Sequence, residues 1–332
     1  MSEVVDLAIK MIDIQSTTGD ELAMADFLDT YMSAKGWKVT RQTYAPGRDN
    51  VYISQNDAKP DLILNSHIDT VPPHFAHSRD ESFIYGRGAC DTKSLIAAQL
   101  LAAQKLKAEG YANIALLYVV GEEVDHCGML KANELGLDPR FIIVGEPTES
   151  KLVRRQKGLV KVRLITKGKA AHSGYPETGV SAVEPLLDAL EKLRKVQWPE
   201  DDMLGQTTMN IGVLGGGKAA NIVPEDAFAE VMIRVVTNEK DILDQVRETV
   251  GNLAEIRMIA SNDPCELTTL EGYETIVVSF NTDIPYFKFT GKALLWGAGS
   301  IKDAHTSGEK IGIKDLEAAV DIYADLARKC LT

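Results

Sequence analysis

The sequence predicts an α/β protein, in which a mixed, mostly parallel β-sheet with helices on both faces is interrupted by a smaller α+β domain. Three observations support this class. Continuous apolar runs such as residues 62–64 are typical of strands buried on both faces. These runs alternate along the chain with amphipathic helical segments, as in α/β sheets. From about residue 157 the strands instead alternate apolar and charged residues, which indicates a sheet with one solvated face.

The first 156 residues are predicted to supply most of the α/β domain. The predicted helices are MSEVVDLAIKMIDIQ, then ELAMADFLDTYMSAKGW, which ends at Gly36, and a segment from about Asp91 to Gly110. The predicted strands are WKVTRQTY, NVYISQ, the buried run that precedes His67, NIALLYVV and residues 141–144.

Residues 157–262 are predicted to form an inserted domain with its own core, since 332 residues exceed what a single core usually organises. The order within it is strand, helix, two strands, helix and a closing strand near IRMIAS. Two strands, TIVVSF and KALLWG, a loop and the helix IKDLEAAVDIYADLARKCL follow. This last segment cannot fold alone, so residues 263–332 are assigned to the same domain as residues 1–156.

The composition argues against several classes of partner. The chain has 36 Lys and Arg against 48 Asp and Glu, a formal net charge of −12, which disfavours nucleic acid and anionic membrane surfaces. No apolar run is long enough to span a bilayer, and the N-terminal helix lacks the basic start and apolar centre of a signal peptide. We therefore expect a cytoplasmic protein. The four scattered cysteines, Cys90, Cys127, Cys265 and Cys330, are interpreted as reduced packing residues.

A histidine and an aspartate follow the buried run in DLILNSHIDTVPP. His67 and Asp69 are predicted at or just beyond the carboxyl end of that strand, the edge at which open α/β sheets bind ligands. Asp69 could accept the ring N–H of His67 and leave the other ring nitrogen free for a metal ion. A histidine that is merely hydrogen-bonded in a loop gives the same short motif, so the remaining chain must decide.

Five candidate metal ligands are distributed along the α/β domain. His67, Glu123, Glu146 and His305 each follow an apolar strand, and Asp91 opens a helix, where the alternative is a simple N-cap. Two histidines and three carboxylates suit a pair of divalent ions such as zinc, with one carboxylate bridging them. Two such ions bring a charge of +4, which three carboxylates and one hydroxide would neutralise.

Glu122 is the carboxylate that this allocation leaves over. Neighbouring residues point in different directions, so Glu123 could bind a metal ion while Glu122 reaches the attacking water as a general base. The alternative is a pair of solvated acidic residues in a loop, which is the more common situation for adjacent glutamates. The nearby candidate ligands favour the catalytic interpretation.

Five short motifs occur along the chain in the same order as in the di-zinc amidohydrolases and metallopeptidases, and they resemble the motifs of that family. That family includes acetylornithine deacetylase, succinyl-diaminopimelate desuccinylase, aminoacylase and carboxypeptidase G. The motifs are SHIDTVP, GRGACDTK, VVGEEVD, VGEPTE and the late histidine in GAGSIKDAHTSGE. The resemblance covers essentially the whole chain and implies a zinc-peptidase-like catalytic domain interrupted by a ferredoxin-like lid domain.

The resemblance also implies the role of each candidate residue. His67, Asp91 and Glu146 would hold one ion, and Asp91, Glu123 and His305 the other. The two ions are expected to be Zn²⁺, with Co²⁺ or Mn²⁺ as alternatives. Asp69 would orient His67, and Glu122 would act as general acid and base.

Three residues of the inserted domain match family positions as well. His172 would help to stabilise the tetrahedral intermediate from across a homodimer interface formed by the lid domain. Asn221 and Arg234 would bind the substrate carboxylate, although a strand arginine is usually only a solvated residue. The histidines that match no ligand position, namely His74, His77 and His126, are interpreted as loop residues.

The expected reaction is metal-dependent hydrolysis of the amide of a small N-acyl amino acid, most similar to that of acetylornithine deacetylase. VGEPTE, TDIPYF and LLWGAGSIKDAH resemble that branch and the lysine-biosynthesis deacylases. A metallo-dipeptidase or carboxypeptidase of the same family is the first alternative, and a non-catalytic relative is the second. Ser94 stands where the family usually has glycine, and this departure could alter the substrate pocket.

Overall fold

The structure, a computed structural model, describes residues 2–332. The chain forms two compact units. The first comprises the residues up to Arg154 together with Leu267–Ile276 and Thr282–Thr332. The second comprises Arg155–Glu266 and Val277–Asn281. The first unit is therefore discontinuous in sequence.

Helices and strands are numbered here in chain order. The α-helices are α1 (Glu3–Ile12), α2 (Leu22–Ser33), α3 (Lys93–Ala108), α4 (Cys127–Ala132), α5 (Val183–Arg194), α6 (Glu239–Val250) and α7 (Ile313–Leu331). The strands are β1 (Lys38–Ala45), β2 (Arg48–Ser54), β3 (Leu62–His67), β4 (Ser78–Arg79), β5 (Phe83–Tyr85), β6 (Ile114–Val119), β7 (Phe141–Val144), β8 (Leu152–Gln156), β9 (Gly158–Lys167), β10 (Glu200–Asp201), β11 (Gly205–Gln206), β12 (Thr208–Gly216), β13 (Asp226–Val235), β14 (Glu255–Asn262), β15 (Cys265–Glu266), β16 (Thr275–Val278), β17 (Lys292–Leu295) and β18 (Lys310–Gly312).

The first unit is built on a six-stranded sheet in the order β1-β2-β6-β3-β7-β17. β3 is central and runs parallel to β6 on one side and to β7 on the other, and β17 extends the parallel part beyond β7. β1 and β2 form an antiparallel hairpin that joins the sheet at β6. All six residues of β3 are buried. The carboxyl ends of β6, β3 and β7 therefore meet at one edge of the sheet.

Three helices of the first unit, α1, α3 and α7, pack on one another and on the core. In α1, the buried residues Val4, Leu7 and Met11 recur at helical spacing. Glu3 lies in its first turn and Lys10 in its last, where the helix dipole favours these charges. The amphipathic pattern of the N-terminus thus becomes a helix with one face in the core.

The second unit consists of a four-stranded antiparallel sheet in the order β12-β13-β9-β14 with helices α5 and α6 packed against it. Along the chain its elements run β9, α5, β12, β13, α6 and β14, which is the ferredoxin-like arrangement. Every second residue of β9, including Val160, Val162 and Leu164, is buried in the core of this unit. The alternation in the sequence therefore reflects one face covered by helices.

The predicted fold class, a mixed α/β protein that also contains a smaller α+β domain, is confirmed. Several short elements were not predicted, because segments of two to six residues are too short to show a period; among them are β4, β5, β8, α4 and β18. Across residues 2–332, every helix falls short of the combined length and apolarity that a membrane span requires.

Candidate metal centre

The candidate ligands of the first unit gather at the edge where its parallel strands end. His67 is the last residue of β3 and pairs with Val119 at the end of β6. Glu122 and Glu123 follow β6, and Glu146 follows β7. His67 thus lies at the carboxyl end of a buried strand, and the three glutamates lie just beyond one, which are the positions that the sequence predicts.

Five side chains form two groups that share Asp91. His67 Nε2 lies 3.1 Å from Asp91 Oδ1 and 3.7 Å from Glu146 Oε1. His305 Nε2 lies 3.3 Å from Asp91 Oδ2 and 2.9 Å from Glu123 Oε2. The two groups have the composition that the family resemblance implies for two ions, with Asp91 placed between them.

Burial and mutual contact strongly perturb the protonation of these groups. Burial raises the pKa of Glu146 well above its usual range and raises that of Glu123, and nearby Asp91 adds to both effects. Burial alone would raise the pKa of Asp91 as well, but hydrogen bonds from His305 and His67 lower it. Hydrogen bonds to Asp91 and Glu123 raise the pKa of His305 to about 10. Three carboxylates thus compete for the two imidazoles that could neutralise them.

The donor set fits divalent cations. One ligand atom from each of His67, Asp91 and Glu123 lies within 4.8 Å of the others. Glu123 Oε1 is buried and makes no hydrogen bond within the described residues, so one strong acceptor is left unused. Imidazole nitrogens and carboxylate oxygens are the ligands that zinc and similar borderline ions accept. A positive ion would remove both the excess negative charge and the unsatisfied oxygen.

Asp69 links the end of β3, which carries His67, to the loop that carries Glu122 and Glu123. It is fully buried, and its carboxylate accepts hydrogen bonds from Thr18 Oγ1 at 2.7 Å and from the main-chain N–H groups of Glu122 and Glu123 at 3.1 and 3.3 Å. His67 Nδ1 lies 2.9 Å from the main-chain oxygen of Asp69 and 3.5 Å from its carboxylate. The residue therefore contacts His67 mainly through its backbone, while its side chain holds the loop after β6.

Glu122 lies beside a buried histidine–aspartate pair. Burial raises the pKa of Glu122 to about 8. Its Oε1 is 3.9 Å from His126 Nδ1, which in turn lies 2.9 Å from Asp283 Oδ1, and the His126 ring stacks on Tyr286 with a centroid distance of 4.0 Å. From the sequence, His126 was predicted to be a loop residue, and no role was predicted for Asp283. The motif TDIPYF, which was noted only for its resemblance, contains Asp283 and could have singled it out, but it does not contain His126.

Other residues singled out in the sequence have simpler surroundings. Ser94 is buried in the first turn of α3, and its hydroxyl makes no hydrogen bond within the described residues. His77 pairs with Asp13 at 2.7 Å rather than with any candidate ligand. All four cysteines are free, as predicted.

In the second unit, the structure places the predicted catalytic residue His172 near Asn221, one of the two predicted substrate-binding residues. His172 is exposed, and its Nδ1 accepts a hydrogen bond from Gly174 N at 3.0 Å. Its neighbour Ser173 donates a main-chain hydrogen bond to Asn221 O at 3.0 Å, so the segments of His172 and Asn221 are adjacent. Arg234 lies on β13, opposite Leu159 of β9. Their predicted roles remain predictions.

Comparisons with known proteins relate both units to peptidases. Residues 154–257 match the family described as the peptidase dimerisation domain. A peptidase M20 domain-containing protein of Schizosaccharomyces pombe is 39% identical over 96% of this chain and 83% of its own length. A probable carboxypeptidase of Talaromyces marneffei is 35% identical over 98% of this chain and 85% of its own length.

A solved structure shows the same fold. The M20 family metallo-carboxypeptidase of Sulfolobus solfataricus superimposes with a TM-score of 0.78, at 19% sequence identity and over 98% of each chain. The similarity extends over both units of the chain rather than over one alone.

We expect Zn²⁺ to raise the melting temperature of protein that has been stripped of metal with EDTA. An ion that binds only the folded state stabilises it by about 2.7 kcal/mol at a concentration one hundred times its dissociation constant. His67→Ala should abolish most of this rise, whereas His77→Ala should retain it, because His77 pairs with Asp13 instead. Thermal denaturation with and without Zn²⁺ measures the effect, and an equal rise in both variants would contradict the assignment of the centre.

Proposed function

This chain belongs to the M20 peptidase family, and we propose that it is a carboxypeptidase that removes the C-terminal residue of short peptides. Membership of the family makes the protein a metal-dependent hydrolase of peptide bonds. The single observation that carries the proposal is the cluster of five metal-ligand candidates with Glu122 beside it, at the carboxyl edge of the sheet.

The peptidase alternative is better supported than the deacetylase activity that the sequence motifs favoured. The related protein from Talaromyces marneffei is named a probable carboxypeptidase, and the protein of similar structure from Sulfolobus solfataricus is named a metallo-carboxypeptidase. Neither name refers to acetylornithine or to arginine biosynthesis. We therefore assign the scissile bond to a peptide with a free C-terminal carboxylate, and keep an N-acyl amino acid as the competing substrate.

We assign one ion to His67, Asp91 and Glu146, and a second to Asp91, Glu123 and His305. Zn²⁺ is the ion that this donor set suits best, and Co²⁺ and Mn²⁺ are the alternatives. When bound, such ions supply Lewis-acid polarisation of the substrate carbonyl and lower the pKa of water.

Glu122 is assigned as the general acid and base. Its main-chain N–H is held by Asp69, and its side chain lies near enough to His67 and Glu123 for their charges to affect its pKa. A carboxylate whose pKa lies near 8 exchanges a proton readily near neutral pH. In the proposed reaction, Glu122 takes the proton of the attacking water and delivers it to the departing amine.

The second unit supplies the proposed contacts to the rest of the substrate. Arg234 and Asn221 are assigned to the C-terminal carboxylate, because a guanidinium can donate two parallel hydrogen bonds to it.

The match to the peptidase dimerisation domain supports a homodimer. We propose that His172 of the partner subunit donates a hydrogen bond to the oxyanion. We also propose that the protein is cytoplasmic. Its proposed partners are a second copy of this chain and a small peptide substrate.

Substrate class is tested with matched peptides. We expect the enzyme to release the C-terminal residue from di- and tripeptides with a free carboxylate, to be inhibited by EDTA, and to leave the same peptides with a C-terminal amide intact. Amine release is measured for these peptides and for N-acetyl-ornithine and N-acetyl-lysine. Cleavage of the acetylated amino acids alone would replace the peptidase assignment with a deacylase, and inactivity on every substrate with metal bound would overturn both.

Glu122→Gln should lower kcat by at least about 100-fold, because general acid–base catalysis is typically worth two to four orders of magnitude. The variant should still bind metal, since the amide replaces no assigned ligand. Glu134→Gln serves as the control, because Glu134 pairs with Lys131 at the surface. Kinetics and elemental analysis of the same samples measure both properties. Near-native turnover in Glu122→Gln would refute its role.

The role of His172 across the dimer is tested by complementation. His172→Ala and Glu122→Gln should each be inactive alone. After mixing, dissociation and reassembly, about a quarter of wild-type activity should return, because half of the randomly assorted C₂ dimers have one intact site out of two. Activity is measured against the fraction of mixed dimers. A complete lack of recovery in confirmed mixed dimers would place His172 outside the partner's site.

A further inference from the structure

Glu309 is a fully buried carboxylate that none of the assigned roles uses. It lies four residues after His305 and directly before β18, which pairs with β5. It belongs to neither group of candidate ligands, yet it contacts the segment that carries the candidate ligand Asp91. Its surroundings therefore need an explanation of their own.

The side chain of Glu309 accepts hydrogen bonds from four donors of a single loop. Oε1 accepts from the main-chain N–H groups of Gly88, Cys90 and Asp91 at 2.9, 3.1 and 3.1 Å. Oε2 accepts from Arg87 Nη1 at 2.5 Å. Both oxygens are thereby engaged with residues 87–91, and the main-chain oxygen of Glu309 also accepts from Gly86 N at 3.1 Å.

This arrangement satisfies the charge of Glu309 without a metal ion. Arg87 is itself buried, and its Nε donates to Pro73 O at 3.2 Å. A buried carboxylate is costly unless it is paired and hydrogen-bonded, and here one guanidinium and three amides supply both conditions. Glu309 is therefore a structural acceptor that organises the loop rather than a further ligand.

The loop that Glu309 holds ends at the residue that the two groups of ligands share. Asp91 reaches His67 through one carboxylate oxygen and His305 through the other. His305 lies in a connecting loop, and its backbone is in the left-handed region with a φ of +61°, which is uncommon for a residue with a side chain. Glu309 thus joins the main chain of Asp91 to the segment that carries His305.

The ligands differ in how they are supported. His67 is part of β3, and the residue before Glu146 donates a main-chain hydrogen bond to Asn65 of that strand at 2.8 Å. Regular sheet structure therefore holds these two. Asp91 and His305 lie outside the sheet, and the four hydrogen bonds to the Glu309 side chain tie their segments together.

We propose that Glu309 is a positioning residue for the metal centre, which sets the Asp91 carboxylate so that it can serve both ions at once. This inference rests on the proposed two-ion function. It implies that loss of Glu309 weakens the ion held by Asp91, Glu123 and His305 more than the ion held by His67, Asp91 and Glu146. A general loss of stability would not distinguish between the two ions.

The test is titration of the metal-free protein with Zn²⁺ by calorimetry, with the Co²⁺ absorption spectrum as a second readout. The wild type should bind two ions. The second ion is the one assigned to Asp91, Glu123 and His305. Glu309→Gln keeps an oxygen that can accept from the amides, and should lower the affinity for this ion about 10-fold. Glu309→Ala should lower it about 100-fold, and both values lie in the range typical for residues that support metal ligands. Affinity for the first ion should stay at the wild-type value in the Gln variant.

Glu21→Gln is the matched control for breaking a buried carboxylate–guanidinium pair. Glu21 is fully buried and binds Arg48 through Nε and Nη2 at 2.9 and 2.6 Å, so its loss should lower the melting temperature and leave both ions bound.

Wild-type affinity for both ions in the Glu309 variants would overturn the proposal, and so would an equal loss of affinity for both ions. If the wild type itself binds fewer than two ions, the two-ion function fails and the Glu309 inference falls with it. If Glu309→Ala does not fold, the Gln variant decides alone.

Discussion

The parallel pairing of β3 with β6 and β7 is the constraint on which the site depends. It aligns the carboxyl ends of three strands, so that side chains far apart in sequence, such as His67, Glu123 and Glu146, meet at one edge. Side chains alternate between the faces of a strand, and a shift of one residue in register would turn His67 away. Polar side chains within β3 fix that register, because Asn65 Nδ2 donates a hydrogen bond to Leu117 O at 2.7 Å and Ser66 Oγ donates one to Gly145 O at 3.0 Å.

The electrostatics of the centre oppose folding and therefore point to a function. Asp91, Glu123 and Glu146 bring three carboxylates close to two imidazoles, in surroundings where burial disfavours charge. A protein selected only for stability would not retain such a cluster, because unpaired buried charge is expensive. Perturbed groups of this kind are concentrated at functional sites. In the M20 peptidase family, the chemistry of bound divalent ions accounts for this cost.

The sequence predicted what local patterns encode and missed what long-range hydrogen bonds decide. Buried runs followed by His67 or Glu146 reveal a strand and a ligand together, so the fold class and the candidate ligands could be predicted. Asp69 was expected to orient His67, and its carboxylate lies 3.5 Å from the ring, but local patterns did not reveal that it also accepts hydrogen bonds from main-chain N–H groups of the next loop. Amides leave no signature in a sequence, which is why Glu309 was missed, and the pairing of His126 with Asp283 spans too many residues to be inferred from spacing.

The discontinuity of the first unit also dictates the order in which the chain can complete its fold during synthesis. β17 and α7 lie near the end of the sequence, yet they pair with β7 and pack on α3, which are made much earlier. Until they emerge from the ribosome, β7 remains an open edge and α3 presents an uncovered apolar surface, both of which invite aggregation. The half of the site around His67 and Glu146 can thus be assembled first, while the half that contains His305 must wait until residues 292–331 have been made.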